Sequence, residues 1–198
     1  FTDPNTLKGI ASSAYAQGAD GVYTFNMYNI SDSYYTEVKP DGTSTSYSGS
    51  QDRFTAKYNA FDPEKCEIGQ RNYVYDMEQQ KYPMNLSDSF SFTLNTGTAP
   101  SAGYYTVRVG VDSKDGYLDD NISVAVNGEM AAQLRDIPTD PGFSFLENGN
   151  GYRPRDISQT APRVMQFEIT DLSKINNGEN TVTLTNSDSS KPQSVLWL

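Results

Sequence analysis

The chain has no histidine and a single cysteine, Cys66, in 198 residues. Without imidazole, neither a Ser-His-Asp nor a Cys-His site can be assembled from its own residues. Imidazole-based zinc and copper centres are excluded for the same reason. One cysteine makes no internal disulfide and no cysteine-rich metal cluster. Long apolar runs are also missing: none reaches the ~18–20 residues that a membrane-spanning helix needs. Positive charge is scarce, with 15 Lys and Arg against 25 Asp and Glu, a formal net charge of −10. That balance disfavours nucleic acid and anionic membranes, which select clustered Lys and Arg.

The chemistry present is that of carboxylates, amides, hydroxyls and aromatic rings. Such groups handle sugars and calcium, and they also make ordinary polar surfaces. Hydrophobic residues are 36% and aromatics 12%, with 14 Tyr and 9 Phe, enough for most of the chain to bury a core. The length fits one domain or two small ones. Nothing near Phe1 reads as a signal peptide, and Ser194-Val195-Leu196-Trp197-Leu198 is an apolar run without a polar exit. Both ends are therefore expected to be internal to a longer protein; the alternative is a terminal strand tucked into a sheet.

Residues 6–17 read as a helix, because Leu7, Ile10, Ala11, Ala14 and Tyr15 fall on one face. Asn5 or Thr6 can cap its start and Gly18 suits the C′ position. Gly21 to Tyr28 comes next as a β-rich strand, which gives the αβ half of a βαβ unit. Residues 29–60 are polar and read as a long loop or irregular excursion, anchored by Tyr34, Tyr35 and Tyr47. A second helix is expected from Asp62-Pro63-Glu64, with Asp62 as N-cap and Pro63 at N1, to about Tyr75. Gly69 weakens its middle.

Beyond Lys81-Tyr82-Pro83 the pattern alternates. Phe90, Phe92 and Leu94 share one face, and Tyr105, Val107, Val109 and Val111 share the next. Ile122, Val124 and Val126 lead to Asn127-Gly128, a two-residue hairpin signal, and Met130, Ala132 and Leu134 continue after it. Met165, Phe167 and Ile169, then Val182 and Leu184, then Val195 and Trp197 complete about seven strands of period 2, which predicts an antiparallel sandwich. Residues 136–162 read as a crossover loop. Asp171 to Ile175 reads as one helical turn, closed by Asn177-Gly178. The fold class is thus α+β: an N-terminal αβα segment over 1–82, then a jelly-roll-like antiparallel β-sandwich over 83–198.

Two segments carry a resemblance. Gly18-Ala19-Asp20-Gly21-Val22-Tyr23-Thr24-Phe25-Asn26, after an Ala-rich helix, resembles the last helix–strand unit of (β/α)₈ barrels in family-10-like glycoside hydrolases. Asp62-Pro63-Glu64 with Arg71-x-Tyr73 matches the closing helix of such barrels. Asp171-Leu172-Ser173 with Gly178-Glu179-Asn180-Thr181-Val182-Thr183-Leu184 is similar to the ending of galactose-binding-like jelly rolls attached to many glycosidases. The resemblance covers about half the chain, and the polar stretch 29–60 departs from it. It implies the end of a barrel followed by an accessory sandwich. Residues 1–82 are too few to close a barrel, which takes ~250 residues.

Glycosidases commonly need two carboxyl groups flanking the scissile bond. The strand Val22 to Tyr28 offers none; its end carries Asn26, Tyr28 and Asn29. The chain itself is therefore expected to lack the catalytic carboxylates, and whether the parent protein is an enzyme stays open. Asn26, Tyr28, Asn29, Tyr34 and Tyr35 are the candidate sugar contacts, by hydrogen bonding and by stacking on sugar rings. The plainer reading is that Asn26 and Tyr28 steady the strand end while the tyrosines, Tyr47 included, pin the loop. Asp112, Asp115, Asp119 and Asp120 could hold a structural Ca²⁺. Their spacing is not that of an EF-hand, Lys114 sits among them, and a solvated turn is the alternative. No other cofactor is expected. Trp197 reads as core, and Glu64, Glu67 and Glu78 as solvated acids. The sequons at Asn29, Asn85 and Asn121 permit glycosylation only in a eukaryotic secretory route.

Two functions are compatible with these features. The first is the C-terminal part of a secreted, periplasmic or cell-surface glycoside-hydrolase-like protein, whose sandwich binds glycan or buttresses the barrel. Its partners would be carbohydrate and the rest of the same polypeptide or a barrel chain. The second is a non-catalytic surface adhesin or binding module with a small αβ cap.

Overall fold

The computed structural model describes residues 4–23, 35–38, 44–47, 58–75, 82–111, 121–137 and 163–198. The chain divides into two compact units, one of Phe1–Tyr73 with Asn95–Thr98, the other of Val74–Leu94 with Ala99–Leu198.

In the first unit, α1 spans Pro4–Ala16. It starts slightly before the expected caps, with Pro4 rather than Asn5 or Thr6 opening it; a proline has no amide to leave unbonded in the first turn. Its end is as expected. Gly18 lies at φ +91°, its N–H donates to Tyr15 O, and the Ala19 N–H donates to Ala14 O, a Schellman closure. The buried side of α1 is not the apolar stripe alone. Leu7 and Ala11 are buried, but so are Asn5, Gly9 and Ser12, while Ile10 is 45% exposed. Gly9 lets residue 72 approach: a β-carbon there would lie 2.2 Å from Asn72 O. Beside it, Asn72 N–H donates to Asn5 O at 2.9 Å.

Three expectations for this unit change. Gly21–Tyr23 form no strand among the described residues, and Tyr23 is 87% exposed; residues 24–28 of the expected strand lie outside the described residues. The stretch 29–60 is not one loop. It contains an antiparallel hairpin of β1 (Tyr35–Val38) and β2 (Ser44–Tyr47), with Tyr35 opposite Tyr47 and Val38 opposite Ser44. The second helix is also absent as such. A short helical piece at 58–60 is followed by turns to residue 69. Asp62 does cap locally: its Oδ1 accepts from Glu64 N–H, and its backbone O accepts from Lys65 and Cys66. Gly69 at φ +79° then takes the chain out of helical geometry.

Among the described residues of the second unit, nine strands form two antiparallel sheets. The four-stranded sheet has the order β4 (Ser89–Asn95), β10 (Glu179–Asn186), β6 (Ile122–Val126), β7 (Glu129–Met130). The five-stranded sheet has the order β3 (Met84–Leu86), β11 (Gln193–Trp197), β5 (Tyr105–Val111), β9 (Arg163–Ile169), β8 (Ala132–Ile137). The two share one core: Phe92, Val124, Val126, Val182 and Leu184 from one sheet meet Val107, Val109, Met165, Phe167 and Val195 from the other. Each such side chain contributes about 1.5–3 kcal/mol on full burial. The period-2 reading therefore locates the core, and the unit is a β-sandwich.

Asn127-Gly128 makes the expected two-residue turn, both at positive φ (52° and 85°), with Val126 opposite Glu129. The chain beyond that turn departs from expectation. β7 stays with β6, and β8 pairs instead with β9 in the other sheet. Met130 and Leu134 are 61% and 51% exposed. The register of β8 shifts between Gln133 and Arg135, so a bulge at Leu134 breaks the alternation. A second shift in β11 lies between Val195 and Trp197. Burial passes there from Gln193 and Val195 to Leu198. β3, a short edge strand not anticipated from the pattern, pairs with β11 through Leu86 and Gln193. The expected crossover begins later than residue 136, since β8 runs to Ile137; residues 138–162 lie outside the described residues.

Candidate functional site

Of the candidate sugar contacts, Asn26, Tyr28, Asn29 and Tyr34 lie outside the described residues. Tyr35 opens β1, its backbone registered against Tyr47. Asp112, Asp115, Asp119 and Asp120 also lie outside them, and among the described residues no group of His, Cys, Asp or Glu is placed to hold a metal. Of the sequon asparagines, Asn85 is exposed on β3 and Asn121 is half-buried before β6; Asn29 is not described.

The densest polar cluster of the first unit was not anticipated. Ser12 on α1 donates its hydroxyl to Glu67 Oε1 at 2.6 Å. Arg71 Nη1 donates to Ser12 Oγ at 2.9 Å and also pairs with Glu67 Oε2. Arg71 Nη2 donates to Thr98 O at 2.7 Å, and the Tyr73 hydroxyl donates to Thr96 O at 2.6 Å. Glu67 is therefore an ion-pair partner rather than a merely solvated acid. A serine beside a carboxylate can in principle be activated as a nucleophile. Here Ser12 is fully buried, and the carboxylate charge is taken up by a guanidinium whose side chain is only 8% exposed. The cluster fastens α1, the 62–69 turns and residues 95–98 together, with the Ser12 hydroxyl buried and the Glu67 carboxylate held by Arg71. Burial pushes the Tyr73 phenol above its ordinary range and does the same to the buried Cys66 thiol. A raised thiol is a poor nucleophile. The signals that could have revealed this cluster are Gly9 and Gly97, since an isolated glycine marks a close backbone approach.

The second cluster is built from the motif that carries the jelly-roll resemblance. Asp171 caps a single 3₁₀ turn at Leu172–Lys174, its Oδ1 accepting from Ser173 N–H and Oγ–H. The turn delivers Ile175 into the core. Asn180, fully buried at the start of β10, donates to Asn176 O at 2.9 Å and Gly178 O at 3.2 Å, and accepts from Asn176 N–H at 2.8 Å. It also accepts from Asn127 Nδ2 at 2.7 Å. Asn127 in turn donates to Lys174 O at 2.7 Å and accepts from Thr181 N–H at 2.9 Å. One amide side chain thereby ties the 3₁₀ turn, the β6–β7 turn and the entry to β10. The described residues of the motif perform an architectural task.

On the side of the five-stranded sheet away from the core, Arg108 Nε donates to Gln166 Oε1 at 3.1 Å across β5 and β9, and Gln166 is 1% exposed. The outward side of the four-stranded sheet carries hydroxyls, with Ser91 bonded to Thr183 at 2.8 Å and Thr93 to Thr181 at 3.0 Å. Among the described residues, no helix is long and apolar enough to cross a membrane.

No protein-family model matches the chain. No curated protein matches it either.

Proposed function

We propose that the chain is a carbohydrate-directed, non-catalytic part of a glycoside-hydrolase-like protein. Residues 18–26 and 62–73 would derive from the end of a (β/α)₈ barrel, and the β-sandwich would be a jelly-roll accessory module. The observation that carries the reading is the Asp171–Asn180 network. It gives the residues that resemble glycosidase accessory modules one joint task at the entry to β10, which supports reading them together as one motif. The sugar contacts would be Asn26, Tyr28, Asn29, Tyr34 and Tyr35, through amide hydrogen bonds and ring stacking. A secreted, periplasmic or cell-surface setting goes with that substrate class.

The test is glycan-array screening and affinity electrophoresis of the whole 198-residue chain, with a hydrolysis assay beside them. The expected result is retention on at least one polysaccharide, lost in a Tyr34→Ala/Tyr35→Ala variant of unchanged circular dichroism, and no turnover. Turnover would overturn the non-catalytic assignment. Absence of retention on every polysaccharide would remove glycan binding and leave the sandwich a buttressing role.

A further inference from the structure

Two Asn-Gly pairs lie among the described residues in different settings, Asn127-Gly128 and Asn177-Gly178. Asn-Gly is the sequence most open to spontaneous deamidation, because glycine has no side chain to shield its nitrogen. The backbone nitrogen of the glycine attacks Cγ of the asparagine, the C–N bond of the side-chain amide breaks, and ammonia leaves. Water then opens the cyclic imide to aspartate or isoaspartate. The reaction needs the asparagine side chain to rotate toward the next nitrogen.

We propose that Asn177 is a site of slow hydrolytic modification in the folded chain, and that the fold protects Asn127. Asn127 cannot rotate without losing three bonds: Nδ2 donates to Lys174 O and to Asn180 Oδ1, and Oδ1 accepts from Thr181 N–H. All three must break before the side chain can turn toward the Gly128 nitrogen. Both asparagines are exposed, but among the described residues the Asn177 side chain holds one bond, Oδ1 accepting from Ala99 N–H at 2.9 Å.

The consequences are opposite as well. At position 177 a carboxylate still accepts from the Ala99 amide, and at this exposed site its charge adds little. At position 127 a carboxylate would set its oxygen against Lys174 O and Asn180 Oδ1, where the amide donates. The fold thus shields the asparagine whose amide it requires and leaves open the one whose acid would serve equally.

The experiment is incubation of the whole chain at mildly alkaline pH, followed by peptide mass spectrometry of both sites, native and in guanidinium. In guanidinium the two sites should convert at comparable rates. In the native chain Asn177 should convert while Asn127 lags by about tenfold or more, the scale of one lost hydrogen-bond set. Equal native rates, or an Asn177 that stays intact in the native chain while converting in guanidinium, would overturn the proposal. As a second readout, Asn177→Asp should leave the unfolding midpoint unchanged and Asn127→Asp should lower it.

Discussion

Gly97 and Ser12 stand so close that a β-carbon on Gly97 would lie 1.6 Å from Ser12 Oγ and 2.8 Å from Ser12 Cβ. Gly97 is also at φ +67°. The contact seats residues 95–98 within the first unit, where Arg71 and Tyr73 hold the carbonyls of Thr98 and Thr96.

Gly97→Ala should destabilise the first unit by about 2–4 kcal/mol, combining overpacking with a strained backbone. Urea titration followed by tyrosine fluorescence would measure it. Adding Ser12→Ala should restore only part, because Ser12 Cβ itself lies inside the excluded distance. Full restoration by Ser12→Ala would show that the backbone conformation of Gly97 carries no strain.

Arg71→Ala leaves Glu67 without its guanidinium and the Thr98 carbonyl without its donor. With Arg71 largely buried, the expected loss is about 2–4 kcal/mol. A double-mutant cycle with Glu67→Gln should give a coupling that changes little with salt, since buried pairs are weakly screened. A coupling that vanishes at high salt would mean that the pair is solvated.

Asn180→Ala removes a buried amide that bonds Asn176 O, Gly178 O, Asn176 N–H and Asn127 Nδ2. The expected cost is about 2–4 kcal/mol, because the Asn176 and Gly178 carbonyls and the Asn176 amide lose their partner away from water. Asn180→Asp should be no milder, since a carboxylate cannot donate to two carbonyls. Thermal unfolding of both variants checks this.

Acid stability should draw on three aspartates that accept local hydrogen bonds: Asp171 at the 3₁₀ turn, Asp62 at the 62–69 turns, and Asp188 in the turn after β10, which accepts from Ser190 N–H and Oγ–H. Ser173 bonds hold the Asp171 carboxyl below its ordinary value of 3.8, Ser190 does so for Asp188, and the Glu64 amide does so for Asp62. A depressed folded-state pKa stabilises the fold above the unfolded value and is lost as pH falls through the folded one. The unfolding midpoint should therefore start to drop near pH 3.8 and keep dropping below it. Asp→Asn at all three positions keeps the acceptors and should flatten that slope.

At alkaline pH the sign reverses. Tyr73 and Cys66 are raised by burial above their ordinary values of 10.0 and 9.0. Their neutral forms belong to the folded state, so stability is full below the unfolded values and is lost as pH rises through the folded ones. Tyr73→Phe should remove the part that begins near pH 10.0, measured as the midpoint against pH. An unchanged alkaline slope would show that Tyr73 ionises without unfolding.

The strands of the sandwich were legible because alternation is local: Ile122, Val124 and Val126 face the core for the same reason that Ser123 and Ala125 do not. The Asn127-Gly128 turn was legible because few residues tolerate positive φ at both positions. The β1–β2 hairpin was missed although Pro40-Asp41-Gly42, between its strands, is a turn signal; the polar strands hid it. The helix expected from Asp62 failed differently. Its cap is correct, yet a cap starts a helix without sustaining one, and Gly69 lies within two turns of it. Of the candidate sugar contacts, only the backbone of Tyr35 belongs to the described residues.

The sequence by itself determined the chemistry that needs histidine or paired cysteines, which this chain lacks, the core of the sandwich and its turns at Asn127-Gly128 and Asp171–Ile175, since composition and period 2 depend on near neighbours. Only the tertiary structure decided that β8 leaves the sheet of β7 and that Ser12, Glu67 and Arg71 converge on residues 95–98. It also decided that Asn180 is a buried tie rather than a surface amide. Each of those depends on bonds and contacts between residues far apart in the chain, which no local pattern encodes.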